Sequence, residues 1–97
     1  MRKLLLFAPA LLAACATTPA PTPVHGVTPG RTCNAAGTGS FIGQSGNSET
    51  GAAILAATHS AVLRWAPPGY MMTMDFRADR VTVWLGPDYK ITKISCG

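Results

Sequence analysis

Apolar positions along this chain change their spacing from one segment to the next. Leu4-Leu5-Leu6-Phe7-Ala8-Pro9-Ala10-Leu11-Leu12 is an apolar run behind Arg2 and Lys3. It is too short to cross a membrane as a helix, which takes roughly 20 residues. From Ser48-Glu49 the pattern turns helical. A polar cap and an acid near the positive end of the dipole open the segment, and Ala53, Ile54 and Ala57 share one apolar face up to about His59. Gly51 lowers the intrinsic helix propensity of this stretch, and His59 is expected as a solvated residue near the final carbonyls. Ala61-Val-Leu-Arg-Trp-Ala66 has the β-branched and aromatic density of a strand, and Pro67-Pro68-Gly69 stops it. In Arg80-Val-Thr-Val-Trp-Leu85 the alternation is strict. Val81, Val83 and Leu85 face one way, Arg80, Thr82 and Trp84 the other. Gly86-Pro87-Asp88 predicts a turn and Lys90-Ile-Thr-Lys-Ile-Ser95 a closing strand.

The connection between those first two strands breaks the pattern. It is too long for a tight hairpin and too short to hold another helix-packed unit, and loops of this length in small domains usually carry function. Tyr70, Met71, Met72, Met74 and Phe76 are large and apolar, yet Thr73 and Asp75 interrupt them and Arg77, Asp79 and Arg80 follow at once. A buried strand would not be interrupted so. An apolar segment bounded by charges points to a surface displayed for a partner.

Composition separates the domain from what precedes it. The apolar fraction is 47% and the charged fraction 12%, which excludes a disordered chain driven by charge. The formal charge of +4 includes Arg2 and Lys3. Without them the basic residues are Arg31, Arg64, Arg77, Arg80, Lys90 and Lys93, giving a balance of about +2 and no basic cluster of the kind a nucleic-acid face needs. Two histidines and four acidic residues leave little for catalysis. No Ser or Cys has an evident base partner, and no Cys-x-x-Cys or histidine spacing suits a metal. Gly37-Thr-Gly39-Ser-Phe-Ile-Gly43 lacks the preceding strand and the Lys-Ser/Thr pair of a phosphate loop. No catalytic residue, cofactor or metal is expected.

The basic start, the apolar run and Leu12-Ala13-Ala14-Cys15 form an export signal. Its end resembles the bacterial lipobox, in which cleavage leaves the cysteine first and lipidated; the alternative is an ordinary signal peptide cut after Ala14 or Ala16. Residues 1–14 are accordingly expected as signal peptide. Residues 15–32, rich in Pro and Thr and containing His25, are expected as a lipidated cysteine with an extended tether, and residues 33–97 as the folded head. A domain of this size is marginal by burial alone. Cys33 and Cys96 lie at its two ends in an oxidising compartment, and a disulfide between them is favoured over a zinc site.

Gly69-x-x-x-Thr73-Met74-Asp75-Phe76-Arg77-x-Asp79-Arg80-Val81 resembles the reactive-site region of the potato type I serine-protease inhibitors, and Phe41-Ile-Gly-Gln44 fits the same group. The frame from Cys33 to Cys96-Gly97 is most similar to the fungal elastase inhibitor branch, which has exported bacterial members. The resemblance covers residues 33–97. It implies an α+β fold with one helix packed on a small mixed β-sheet, a long protruding reactive-site loop and one disulfide. It also implies a substrate-like inhibitor with Met74–Asp75 as the scissile bond and Met74 in the primary specificity pocket. Tyr70, Met71, Met72, Thr73 and Phe76 would be loop contacts. Arg80, and second to it Arg77, would brace the loop by donating to Thr73 and Asp75. Plant members place another arginine where this chain has Thr82, which leaves the loop one guanidinium short. Gly97, at the end of the sequence, offers a carboxylate to a loop-supporting arginine.

Met74 suits the apolar pockets of chymotrypsin-, elastase- and subtilisin-like proteases. The expected partners are therefore a serine protease of that kind and, through lipid on Cys15, a membrane, with no nucleic acid and a monomeric head. The expected location is a bacterial outer membrane, facing the periplasm or the cell surface. The competing expectation is a non-inhibitory envelope lipoprotein that uses Tyr70, Met71, Met72 and Phe76 as a docking patch.

Overall fold

A computed structural model describes residues 24–97. The export segment, Cys15 and the first part of the tether lie outside the described residues. A short 3-10 turn at Gly39–Phe41 precedes helix α1, Ser48–Thr58. Three strands follow: β1 (Val62–Ala66), β2 (Arg80–Leu85) and β3 (Ile91–Cys96). They form one sheet in the order β1-β2-β3, with β1 parallel and β3 antiparallel to β2. The fold is the expected small α+β arrangement of one helix on a mixed sheet, closed by a Cys33–Cys96 disulfide with Cα atoms 5.7 Å apart.

The helix starts and packs differently from its sequence pattern. Its N-cap is Asn47, not Ser48: the Asn47 side chain accepts the Thr50 N–H at 2.8 Å and the Thr50 hydroxyl at 3.0 Å. The buried face is Gly51, Ile54 and Thr58, while Ala53 and Ala57 are exposed. Close approach explains the exchange. A Cβ at Gly51 would sit 2.9 Å from Cζ2 of Trp65, so only glycine lets the helix lie against β1. Thr58 is tolerated inside because its hydroxyl bonds to Ile54 O at 2.7 Å and pairs with the Ser60 hydroxyl. His59 is exposed in the left-handed region (φ 58°), and its main-chain N–H, rather than its ring, reaches the final carbonyls.

The core is small. Ile54, Val81, Val83, Leu85 and Ile91 form it, with Cys33, Phe41, Leu55, Leu63, Trp65 and Ile94 packed around them. Val81, Val83 and Leu85 point into it as their alternation requires. The opposite face of β2 is not left to solvent, however: Arg80 and Thr82 are buried as well. Arg80 reaches the connection from β1 at Asp75, and Thr82 is met by the Arg64 side chain and Gly97 O.

That connection is the topological consequence of the parallel pair. Parallel neighbours need a crossover that returns the length of the strand, usually through a helix. Here residues 67–79 make the return without one. A turn opens it, with the Tyr70 N–H donating to Pro67 O at 3.0 Å and Gly69 at φ +81°. Among the described residues, none of the main-chain groups from Met71 to Phe76 bonds to another main-chain group.

From Val24 onward the stretch expected as extended spacer is instead a pair of tight turns. The Val27 N–H donates to Val24 O at 3.0 Å and the Arg31 N–H to Thr28 O at 2.9 Å, with Gly26 and Gly30 at positive φ. Pro-Gly composition serves a tether and a turn equally well, so only packing separates them.

Candidate functional site

The crossover loop presents one residue almost completely. Met74 is 99% exposed and Met71 84%, with Phe76 also largely free. Tyr70 and Met72 are exposed to a lesser degree. Thr73 and Asp75, on either side of Met74, do not point away with it. The Thr73 hydroxyl donates to Asp75 Oδ1, closing a short bridge behind Met74.

Two arginines hold this bridge from the sheet. Arg80, 7% exposed at the start of β2, uses three nitrogens. Nη2 donates to the Asp75 main-chain oxygen at 2.8 Å, Nη1 to Asp75 Oδ2 at 3.5 Å, and Nε to Gly97 O at 3.0 Å. Arg64 of β1 donates through Nη1 to Thr73 Oγ1 at 3.0 Å and through Nε to Thr82 Oγ1 at 3.3 Å. Arg64 and Thr82 are partners in the parallel register, so the neighbouring strand supplies a guanidinium at the place where Thr82 has none. Gly97 completes the floor. Its oxygen also accepts the Thr82 hydroxyl at 3.1 Å, and a Cβ in its place would come within 3.1 Å of the Phe76 ring.

Arg77, expected as the second brace, is turned elsewhere. It grips Asp79 through Nε to Oδ1 at 3.0 Å and Nη2 to Oδ2 at 3.1 Å. Asp79 is fully buried, and an unpaired carboxylate there would be costly. Besides Arg77, the Thr28 hydroxyl donates to its Oδ2 at 2.6 Å. The main chain at the loop end is tied down too: Asp79 O accepts the N–H groups of Ala61 and Val62, and Ala78 O accepts the Cys33 N–H at 2.8 Å. Cys33 thus reaches the loop directly through its backbone, a contact the disulfide spacing alone did not reveal. Arg64, Asp79 and Thr28 were missed from sequence. The signal for Arg64 was present in principle, since its alternation places it opposite Leu63 and Trp65 on β1; the parallel register was what made it meaningful.

The loop charges are stabilised in their ionised forms. The Asp75 carboxyl is lowered from 3.8 to about 2, chiefly by the Thr73 hydroxyl, with its own backbone N–H and Arg80 adding to the effect against some desolvation. Asp79 is also lowered, first by Arg77 and then by Thr28. Depressed folded values mean that this support is fully present above the unfolded carboxylate range and is lost as pH falls through the folded one. Thermal stability should therefore be flat in these contacts down to about pH 4 and decline between there and pH 2. Melting curves across that window test this. In Asp75→Asn the decline should be shallower, and an identical slope in the variant would remove Asp75 from the account.

Among the described residues no group of His, Cys, Asp and Glu is arranged to hold a metal ion, and no helix is long and apolar enough to cross a membrane. An exposed apolar residue whose neighbours are fixed to a rigid sheet, on a segment whose main-chain groups have no main-chain partners, is suited to lying in a binding cleft.

Residues 33–97 match the family model described as the peptidase inhibitor I78 family. The chain belongs to that family, in agreement with the inhibitor resemblance of the loop motif and with a non-enzymatic role. Among solved structures, the elastase inhibitor AFUEI is similar, with a TM-score of 0.48 and 28% identity over 59% of this chain and 78% of that one. No curated protein matches the chain.

Proposed function

We propose that the protein inhibits serine proteases of the chymotrypsin, elastase and subtilisin kinds through a substrate-like loop, with Met74–Asp75 as the bond offered to the enzyme. The observation that carries this is the contrast at one point in the chain. Met74 is 99% exposed while both of its neighbours are bonded to arginines of the sheet. A flexible peptide of the same sequence would pay an ordering cost on binding and depart once cut; a held loop avoids the first and slows the second. Titration of subtilisin, chymotrypsin, elastase and trypsin with the purified protein is the direct test. Inhibition of the first three and not of trypsin is expected. Weak effects on every enzyme, at micromolar levels or above, would favour the docking-patch role for Tyr70, Met71, Met72 and Phe76.

Met74→Arg should move inhibition toward trypsin, whose pocket carries a carboxylate. Because Met74 touches so little of its own protein, the variant should fold unchanged. A gain against trypsin and a loss against elastase, each a hundredfold or more, is expected for exchanging a charged for an apolar group in such a pocket, roughly 3 kcal/mol. An unaltered profile would place the specificity residue elsewhere.

Presentation on a membrane is part of the same proposal. Cys15 in its Leu-Ala-Ala-Cys context is the lipid attachment site, and the head faces the periplasm or the outside of a bacterial outer membrane as a monomer. Metabolic labelling with radioactive palmitate should mark the wild type and not Cys15→Ser. Equal labelling of both would end the anchor assignment.

A further inference from the structure

The segment Val24–Arg31 lies outside the family-matched residues, yet it packs on the part of the loop that follows the scissile bond. Three contacts are independent of one another. The Thr28 hydroxyl donates to the buried Asp79 carboxylate at 2.6 Å. Gly26 O accepts the Asp79 N–H at 3.0 Å. His25 Nε2 lies 3.8 Å from Asp75 Oδ2, on the residue that follows Met74.

Gly26 shows how closely the two chains meet. A Cβ there would lie 3.0 Å from Cα and 3.2 Å from Cγ of Arg77. The same residue has φ +80°, so both space and backbone geometry select glycine. Gly26 itself is buried, in a stretch whose prolines and threonines otherwise read as solvated chain.

We propose that Val24–Arg31 is a positioning strap for the inhibitory loop, setting how long the Asp75–Asp79 side stays in place after the protease cuts. Arg64 and Arg80 hold the residues that flank the bond. The strap holds the distal end, through Asp79 and the Arg77 paired with it. If Asp79 shifts, Arg77 loses its partner and the loop end gains freedom just where the new amino group of Asp75 must wait for religation. The strap therefore governs hydrolysis of the bond more than first encounter with the enzyme. The proposal rests on the inhibitor function above, and its test separates the two.

Thr28→Val removes the hydroxyl at nearly constant shape, and Thr28→Ser restores it. Both are made in the whole exported chain, in detergent, with two measurements well below each melting temperature. The first is the rate at which bound subtilisin hydrolyses Met74–Asp75. The second, without protease, is amide hydrogen exchange across the loop. Thr28→Val should raise hydrolysis and exchange at Arg77–Asp79 on the order of tenfold, the size of one hydrogen bond to a charged group, with β3 amides unchanged. Thr28→Ser should return both to wild-type values. A Thr28→Val protein that melts lower but shows wild-type hydrolysis and loop exchange would overturn the strap and leave a merely structural contact. Failure of the serine to rescue would overturn it too. Loop exchange that depends on Thr28 in a protein that inhibits nothing would support the strap and sink the inhibitor function instead.

Discussion

Arg80→Ala is expected to turn a slowly cut inhibitor into a substrate. Its side chain joins three points that meet nowhere else: the Asp75 main-chain oxygen, the Asp75 carboxylate and Gly97 O. Two of these are main-chain acceptors bonded to a nearly buried cation, and such bonds are worth roughly 1.5–3 kcal/mol each. Losing the one to Asp75 O frees the peptide next to the bond proposed as scissile, so hydrolysis should rise between about tenfold and a hundredfold. The protein should remain folded, because β2 keeps its pairings on both sides and its core face of Val81, Val83 and Leu85. Arg80→Lys should fall between wild type and alanine, since an ammonium cannot serve three separated acceptors in the manner of a planar fork. Mass spectrometry of the complex over time measures the cut fraction. Equal cleavage of wild type and Arg80→Ala would count against the brace.

The second large effect concerns the disulfide. Cys33 and Cys96 are 63 positions apart, and in the chain-entropy model closing such a loop stabilises the fold by about 4 kcal/mol. A single core of this size rarely supplies more than about 3–5 kcal/mol. The double variant Cys33→Ala, Cys96→Ala should therefore be largely unfolded near 25 °C, which circular dichroism would show. A melting curve close to wild type would contradict this.

In the proposed mechanism the disulfide also acts after cleavage. Met74–Asp75 lies between the two cysteines, so cutting it leaves α1 with β1 on one fragment, β2 with β3 on the other, and the disulfide joining them. Cut wild type should run as one species without reductant and as two with it. The Cys33 N–H on Ala78 O places one end of that link at the foot of the loop, where retained fragments would help religation.

Local chemistry made much of this fold legible. Strict alternation in Arg80–Leu85 gives the strand β2 at those bounds, and Gly86 and Asp88 mark its turn. The loop was recognisable because apolar residues sat among charges with no period to bury them. The helix was placed well along the chain but rotated in its packing. Ala53 and Ala57 carry too little side chain to define a face, while Gly51 is buried for a reason that belongs to Trp65.

The strand alternation, the exposed Met74 segment and the pairing of Cys33 with Cys96 are legible in the order of residues alone, because each depends on neighbours or on spacing along the chain. The brace is different. Arg64 matters because a parallel register sets it beside Thr82 and beneath Thr73, and Arg77 pairs with buried Asp79 rather than with Thr73 or Asp75. Val24–Arg31 joins the loop where His25, Gly26 and Thr28 meet residues some fifty positions away. These contacts exist only once the chain has folded back on itself, since hydrogen-bond partners for buried charges are chosen by proximity in space.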